Sequence, residues 1–308
     1  MKTTEIFSKN PYKTIFASIS CILWGSAFPV LKISYSELQM SQNDMIARIL
    51  LAGIRFFLAS TIIFLFITFI LKKSIKINKT YLLKLLIIGI LQTSLYYFLF
   101  YTGVANTKGM KAAIIGAMEI FFVIIIAHII YTNDKINKTK IIGLILGFLG
   151  IIIVNWGSSF RLDFNFKGEG FLILSSFIGA ISAILAKNLS RKLHPSLITA
   201  WQMFLGSIIL LVFGYINLSS NAIVFNTKGS LLLIYSAFLS ATAFSIWYAL
   251  LKYNKAGEIS LYKFITPVSG AILSSIFLPN EKFTFNILIS LILVVLGIIL
   301  VNINLNRD

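Results

Sequence analysis

Long apolar runs, with the charges confined between them, constrain this chain of 308 residues more than any other feature it has. A bilayer core takes about 20 helical residues to cross and offers no water to the backbone, so such runs must be helices that satisfy their own N–H and C=O groups. Ten runs qualify or nearly so, with limits at 12–33, 46–71, 81–103, 110–131, 140–157, 169–189, 197–217, 229–251, 259–279 and 285–305. At 58% hydrophobic and 12% charged, with mean hydropathy +0.91, the chain has more apolar surface than a soluble core can hide. The fold class expected is an all-α integral membrane protein with ten transmembrane helices. No small-residue cleavage site follows the first run, which reads as a retained span rather than a signal peptide.

Residues Gly143 to Asn155 return almost letter for letter as Ser290 to Asn302, at an offset of 147. The same offset sets Asp134-Lys135 on Glu281-Lys282, Gly150 on Gly297, and Phe57 to Ser60 on Phe204 to Ser207. One gap-free register joining several segments argues for duplication, with a first five-helix unit over 1–155 and a second over 156–308. Five is odd, so the second unit enters the membrane from the opposite side, and the two are inverted repeats.

The net charge of +17 reads first as topology. One set of alternate loops holds 18 of the 27 Lys and Arg: Lys2, Lys9 and Lys13, then Lys72, Lys73, Lys76, Lys79 and Lys84, then Lys135, Lys138 and Lys140, then Lys187, Arg191 and Lys192, then Lys252, Lys255 and Lys263, and Arg307. The other set holds 8 (Lys32, Arg48, Lys108, Lys111, Arg161, Lys167, Lys228 and Lys282), and Arg55 lies inside a run. Excess positive charge stays in the cytoplasm, which places both termini there. Lipid headgroups are the natural partners of this charge. Nucleic acid is the poorer explanation, because the basic residues sit in short loops and not on a soluble module. Cys21 is the only cysteine, so an intrachain disulfide and a multi-cysteine metal site are excluded. No cofactor is expected.

Three charges fall well inside the runs: Arg55, Glu119 and Lys263. A charge at membrane depth is costly enough that function is its default reading. Arg55 and Glu119 each lie nine residues from the outer start of their runs, about 13 Å deep, so they are level and can face one another as a structural pair or as part of a transport site. Lys263 lies near the inner end of the ninth run, where its ammonium can either snorkel to the interface or enter a cavity. Trp24, Tyr97, Tyr101, Trp247 and Tyr248 offer aromatic faces and hydroxyls to a ring-bearing or cationic substrate, although core packing and interface belts enrich the same residues. The offset sets Phe100 on Trp247 and Tyr101 on Tyr248, and it sets Arg55 on Gln202, a polar but neutral counterpart. His128 and His194 have no partners at metal-ligand spacing and read as structural. Three features modify helices: the Gly25 and Pro29 segment of run one, Gly143-x-x-x-Gly147 of run five, and Thr266-Pro267 of run nine.

Trp24-Gly25-Ser26-Ala27-Phe28, Arg55-Phe56-Phe57-Leu58-Ala59, and Pro267 followed by Glu281 and Gly297 resemble motifs of the drug/metabolite transporter superfamily, and within it the ten-helix EamA-type family. The resemblance covers essentially the whole chain. It implies an inner-membrane secondary carrier, often an exporter of amino acids or related metabolites, with a central cavity between its halves. Asp134 stands where the first repeat of the family has Glu. Ile120 stands where it has Pro, which removes the proline reason for a kink in run four and leaves the acid in place.

The leading functional expectation is a secondary transporter of a small-molecule substrate working by alternating access, with protons as a candidate coupling ion. Substrate identity, direction and oligomeric state stay open. The sequence has no G-x-x-x-x-G-K-[ST] loop for ATP. A membrane-embedded enzyme is weaker, for want of an H-E-x-x-H motif or paired intramembrane Asp residues, and a channel or scaffolding subunit is the third class. Saturable flux stimulated by counter-substrate separates a carrier from both.

Overall fold

A computed structural model gives the fold and describes residues 3–41, 44–107, 109–156, 164–219, 222–279 and 282–304. Lys2, Lys108, Arg161, Glu281 and Arg307, used above in the charge count or the repeat register, lie outside the described residues. In chain order the long helices are α1 (Tyr12–Glu37), α2 (Met45–Ile70), α3 (Lys79–Ala105), α4 (Lys111–Ile130), α5 (Lys138–Val154), α6 (Phe166–Ser190), α7 (Pro195–Asn217), α8 (Thr227–Tyr253), α9 (Ala256–Phe277) and α10 (Phe285–Asn302). Among the described residues, nine of these are long and apolar enough to cross a membrane; α5 has 17 residues. A short helix, Thr3–Ser8, precedes α1.

Local chemistry starts several of these helices. The side chains of Asp44, Asn78, Asn137, Asn165 and Asn226 accept backbone N–H bonds at the heads of α2, α3, α5, α6 and α8. Each satisfies a donor that has no partner within its helix, a contribution of about 1 kcal/mol. Large apolar side chains face outward, with Phe69 68% and Ile129 72% exposed, as expected where lipid is the solvent. The interior is rich in small residues such as Ala17, Ala52, Ala59 and Ala183, which let backbones approach.

The helices interlock across the middle of the sequence. α1 packs on α8 and α9, α6 packs on α3 and α4, α2 packs on α7, and α5 packs on α10. In the last pair the repeated segment meets its own copy: a Cβ on Gly143 would stand 3.3 Å from the Gly297 carbonyl, and one on Gly150 would stand 3.2 Å from that of Ser290. Gly147 instead presses against the Phe264 ring. At the α3–α7 crossing Gly89 and Gly206 bring two backbones into contact.

Three of the helices are irregular at mid-depth. α3 widens into a π turn over Ile90–Leu95, where Thr93 Oγ1 donates to Gln202 Oε1 (2.7 Å) and Ser94 Oγ to the Gly206 carbonyl (2.9 Å). α4 is broken between Gly116 and Met118, and Ser176 Oγ of α6 donates to the carbonyls of Ile115 (3.1 Å) and Gly116 (3.4 Å) that the break exposes. The break therefore forms without a proline, because a glycine weakens the helix there and a neighbouring hydroxyl satisfies the freed acceptors. α9 tightens to a 3₁₀ turn over Tyr262–Phe264, the turn in which Pro267 can neither donate to nor clear the Lys263 carbonyl. At the 147 offset Gly116 falls on Lys263 and Glu119 on Thr266, so the two interruptions occupy corresponding positions.

Candidate functional site

Both interruptions carry a charge, and the fold brings those charges together. Lys263 Nζ donates to Glu119 Oε1 at 2.6 Å, with Glu119 only 7% exposed. The geometry follows from how α4 and α9 meet. The Asp134 carboxylate, just beyond the end of α4, accepts from Gly257 N at 2.9 Å at the head of α9, so the two helices are antiparallel neighbours. From that shared end Glu119 lies ~17 Å and Lys263 ~10 Å along the helices, at 1.5 Å per residue. The four-carbon stem of the lysine spans the difference.

This arrangement corrects one expectation and decides between two alternatives. Arg55 does not pair with Glu119; among the described residues the ion pair of Glu119 is with Lys263. Equal depth on two helices says nothing about which faces meet, and the α4–α9 contact decided it. Of the two readings left open for Lys263, the structure takes the interior one: α9 begins at Ala256, three residues earlier than the run suggested, and Lys263 Nζ reaches Glu119.

Aromatic side chains enclose the pair. The Lys263 ammonium lies 5.5 Å from the ring centre of Trp24 and 5.3 Å from that of Trp247, and the two indoles meet edge to face at 5.2 Å. Phe244 continues the cluster against Trp24 at 5.1 Å. Tyr96, Tyr97 and Tyr248 lie within electrostatic reach of Glu119. Gly179 of α6 leaves the space that the carboxylate occupies, since a Cβ there would sit 3.0 Å from Glu119 Cδ and 2.9 Å from the Tyr96 ring. Among the described residues, two buried donors near the pair, Trp24 Nε1 and Tyr248 Oη, find no hydrogen-bond partner. Neutral groups that lose their hydrogen bonds on burial are costly, which fits a surface shaped for a polar guest.

Arg55 belongs to an adjoining cluster. It is 4% exposed, its guanidinium lies over Phe56 (4.4 Å) and Tyr97 (5.4 Å), and the charged or phenolic groups around it are Tyr35, Tyr97 and Tyr101. Tyr97 touches both clusters, its ring 5.8 Å from that of Tyr101. Gln202, the repeat counterpart of Arg55, lies at the α3–α7 crossing with its Oε1 on Thr93. His128 Nδ1 accepts from Ile136 N at 3.0 Å and so orders the turn after α4. Sequence reasoning missed Gly179, Ser176 and Phe244. Nothing local distinguishes a site glycine or serine from the packing residues common in such helices.

Comparison with known proteins agrees with this architecture. The sequence profile of the EamA-like transporter family matches residues 12–156 and again 166–303. An uncharacterized transporter of Archaeoglobus fulgidus is 29% identical over 292 residues, covering 94% of this chain and 98% of its own. The uncharacterized transporter YoaV of Bacillus subtilis is 23% identical over 279 residues, covering 90% and 92%. A solved crystal structure shares the fold with a TM-score of 0.78 at 12% identity, over 96% of this chain and 97% of its own.

Proposed function

The chain belongs to the EamA-like transporter family, and from that premise we propose that it is a secondary carrier that exports amino acids or related metabolites by alternating access with proton coupling. The observation that carries this reading is the buried Glu119–Lys263 pair between two indoles. A zwitterion matches it: an α-ammonium replaces Lys263 at the carboxylate, and an α-carboxylate replaces Glu119 at the ammonium. Trp24 and Trp247 then offer their faces to the substrate's cation or side chain. A carboxyl group whose cationic partner changes with occupancy is one whose protonation follows the transport cycle, which is the requirement for coupling.

Two further observations support an inverted duplication of ten spans, with units at 1–155 and 156–308. The repeat counterparts Phe57 and Phe204 have rings 5.9 Å apart, and α5 meets α10 through exchanged contacts, as a two-fold relation requires. On this reading α5, about 25 Å long, is the tenth span. The Lys and Arg bias orients both termini to the cytoplasm of an inner membrane. Single cysteines at Lys76 and Arg191 are then shielded from an impermeant maleimide in intact cells, and one at Lys228 reacts. Labelling at Lys76 reverses the orientation.

The transport reading is tested with purified protein in proteoliposomes loaded with unlabelled amino acids. Uptake of the same labelled compound is expected to saturate and to be stimulated by the internal pool, and Trp247→Ala is expected to weaken apparent affinity about tenfold with folded protein retained. If no amino acid stimulates counterflow, the substrate class is wrong.

A further inference from the structure

A cavity lies apart from the Glu119–Lys263 pair, at the end of the bundle where the first helix begins. It measures 680 Å³ and is bounded by residues 8–13, the turn after α4, the end of α6 and the turn from α8 to α9. Six of its lining residues are cations: Lys9, Lys13, Lys187, Arg191, Lys252 and Lys255. Only two are acids, Asp134 and Glu258.

Both acids are already engaged. Asp134 is held by Lys140 at 2.6 Å, and Glu258 faces Lys255 at 3.3 Å. Lys9 has Glu5 at 3.4 Å. Among the described residues Lys13, Lys187, Arg191 and Lys252 form no ion pair with a carboxylate. Two of them are deeply placed, Lys13 at 6% and Lys187 at 8% exposure. Lys187 donates to the carbonyls of Leu251 (2.6 Å) and Asn254, which fixes its ammonium at the cavity wall. Tyr131 lies between two cations, with Lys187 at 5.7 Å and Arg191 at 5.8 Å from its ring centre. A phenol is neutral at physiological pH, so Tyr131 offsets none of this charge. A loop that only sets topology spreads its lysines into water. Here four cations with no carboxylate in ion-pair range line one half-open cavity, two of them buried at a desolvation cost that a multivalent anion would repay.

We propose that this vestibule binds a phosphate-bearing anion. Several oxygens on one tetrahedral centre can accept from lysine and arginine arriving from different walls, whereas a single carboxylate would leave most of the charge unmatched. A free phosphorylated compound and an anionic lipid headgroup share this chemistry. The test uses full-length protein in detergent at fixed ionic strength, titrated with inorganic pyrophosphate in one arm and soluble short-chain phosphatidylglycerol in the other, read by calorimetry and thermal melting. Arg191→Gln/Lys252→Gln removes two cavity charges, and Lys76→Gln/Lys79→Gln removes two from the loop between α2 and α3. Pyrophosphate binding that falls about tenfold in the first pair and less than about twofold in the second establishes a site for a free phosphate. The same pattern with the lipid alone establishes a headgroup site. Absence of binding by wild type in both arms, or equal losses in the two variants, overturns the proposal.

Discussion

Glu119→Gln is expected to give a folded protein that exchanges substrate across a membrane yet no longer concentrates it against a gradient. Glutamine keeps the shape of the side chain and removes its titration, so binding geometry survives while the coupling group is lost. It also strands Lys263, which is 2.6 Å from Glu119 Oε1 in the native protein. Removing one partner of a buried pair costs about 3 kcal/mol, because the other charge stays buried without compensation. The single variant should therefore melt lower. Glu119→Gln/Lys263→Gln should recover most of that stability and still fail to accumulate substrate. Proteoliposomes with an imposed proton gradient, alongside melting of the purified variants, make both measurements. Wild-type accumulation by either variant would eliminate Glu119 as the coupling residue.

The second large effect concerns one added methyl group. Gly25→Ala places a Cβ against Ser269 Oγ, 2.9 Å from Gly270 N and 2.9 Å from the Thr266 carbonyl. Two of those atoms are backbone of α9 just past its 3₁₀ turn, so α1 must move away as a body. A loss of about 3 kcal/mol follows from such overpacking, together with displacement of Trp24 from Lys263. Gly116→Ala is the matched control, because nothing stands within 4 Å of its Cβ. Its expected change is within about 1 kcal/mol. Size-exclusion yield and melting temperature of the two variants test this; a Gly25→Ala protein that melts with wild type would show that α1 and α9 tolerate separation.

The fate of Arg55 illustrates where sequence reasoning stopped. Its depth, its charge and the small residues beside it are all legible in the chain, and they led to a partner at equal depth. The guanidinium instead rests among Phe56, Tyr97, Tyr101 and Tyr35. For Lys263 the sequence left snorkelling and a cavity role both open, and the structure pairs it with Glu119, with three more residues of helix before it than its hydropathy suggested. The α4 break was hidden for a related reason: Ile120 offers no proline signal, and the hydroxyl that stabilises the break comes from Ser176, 60 residues away from Gly116.

What the sequence determined by itself was whatever depends on neighbours along the chain. Solvent-imposed run length set the long helices, asparagine caps set several of their starts, and the costly intramembrane charges announced Glu119, Arg55 and Lys263. The tertiary structure alone decided which helix faces meet, and therefore which charges pair. Hydropathy fixes how deep a residue lies, but rotation about the helix axis and the choice of neighbouring helix are set by the close packing of small residues such as Gly25, Gly179 and Gly206.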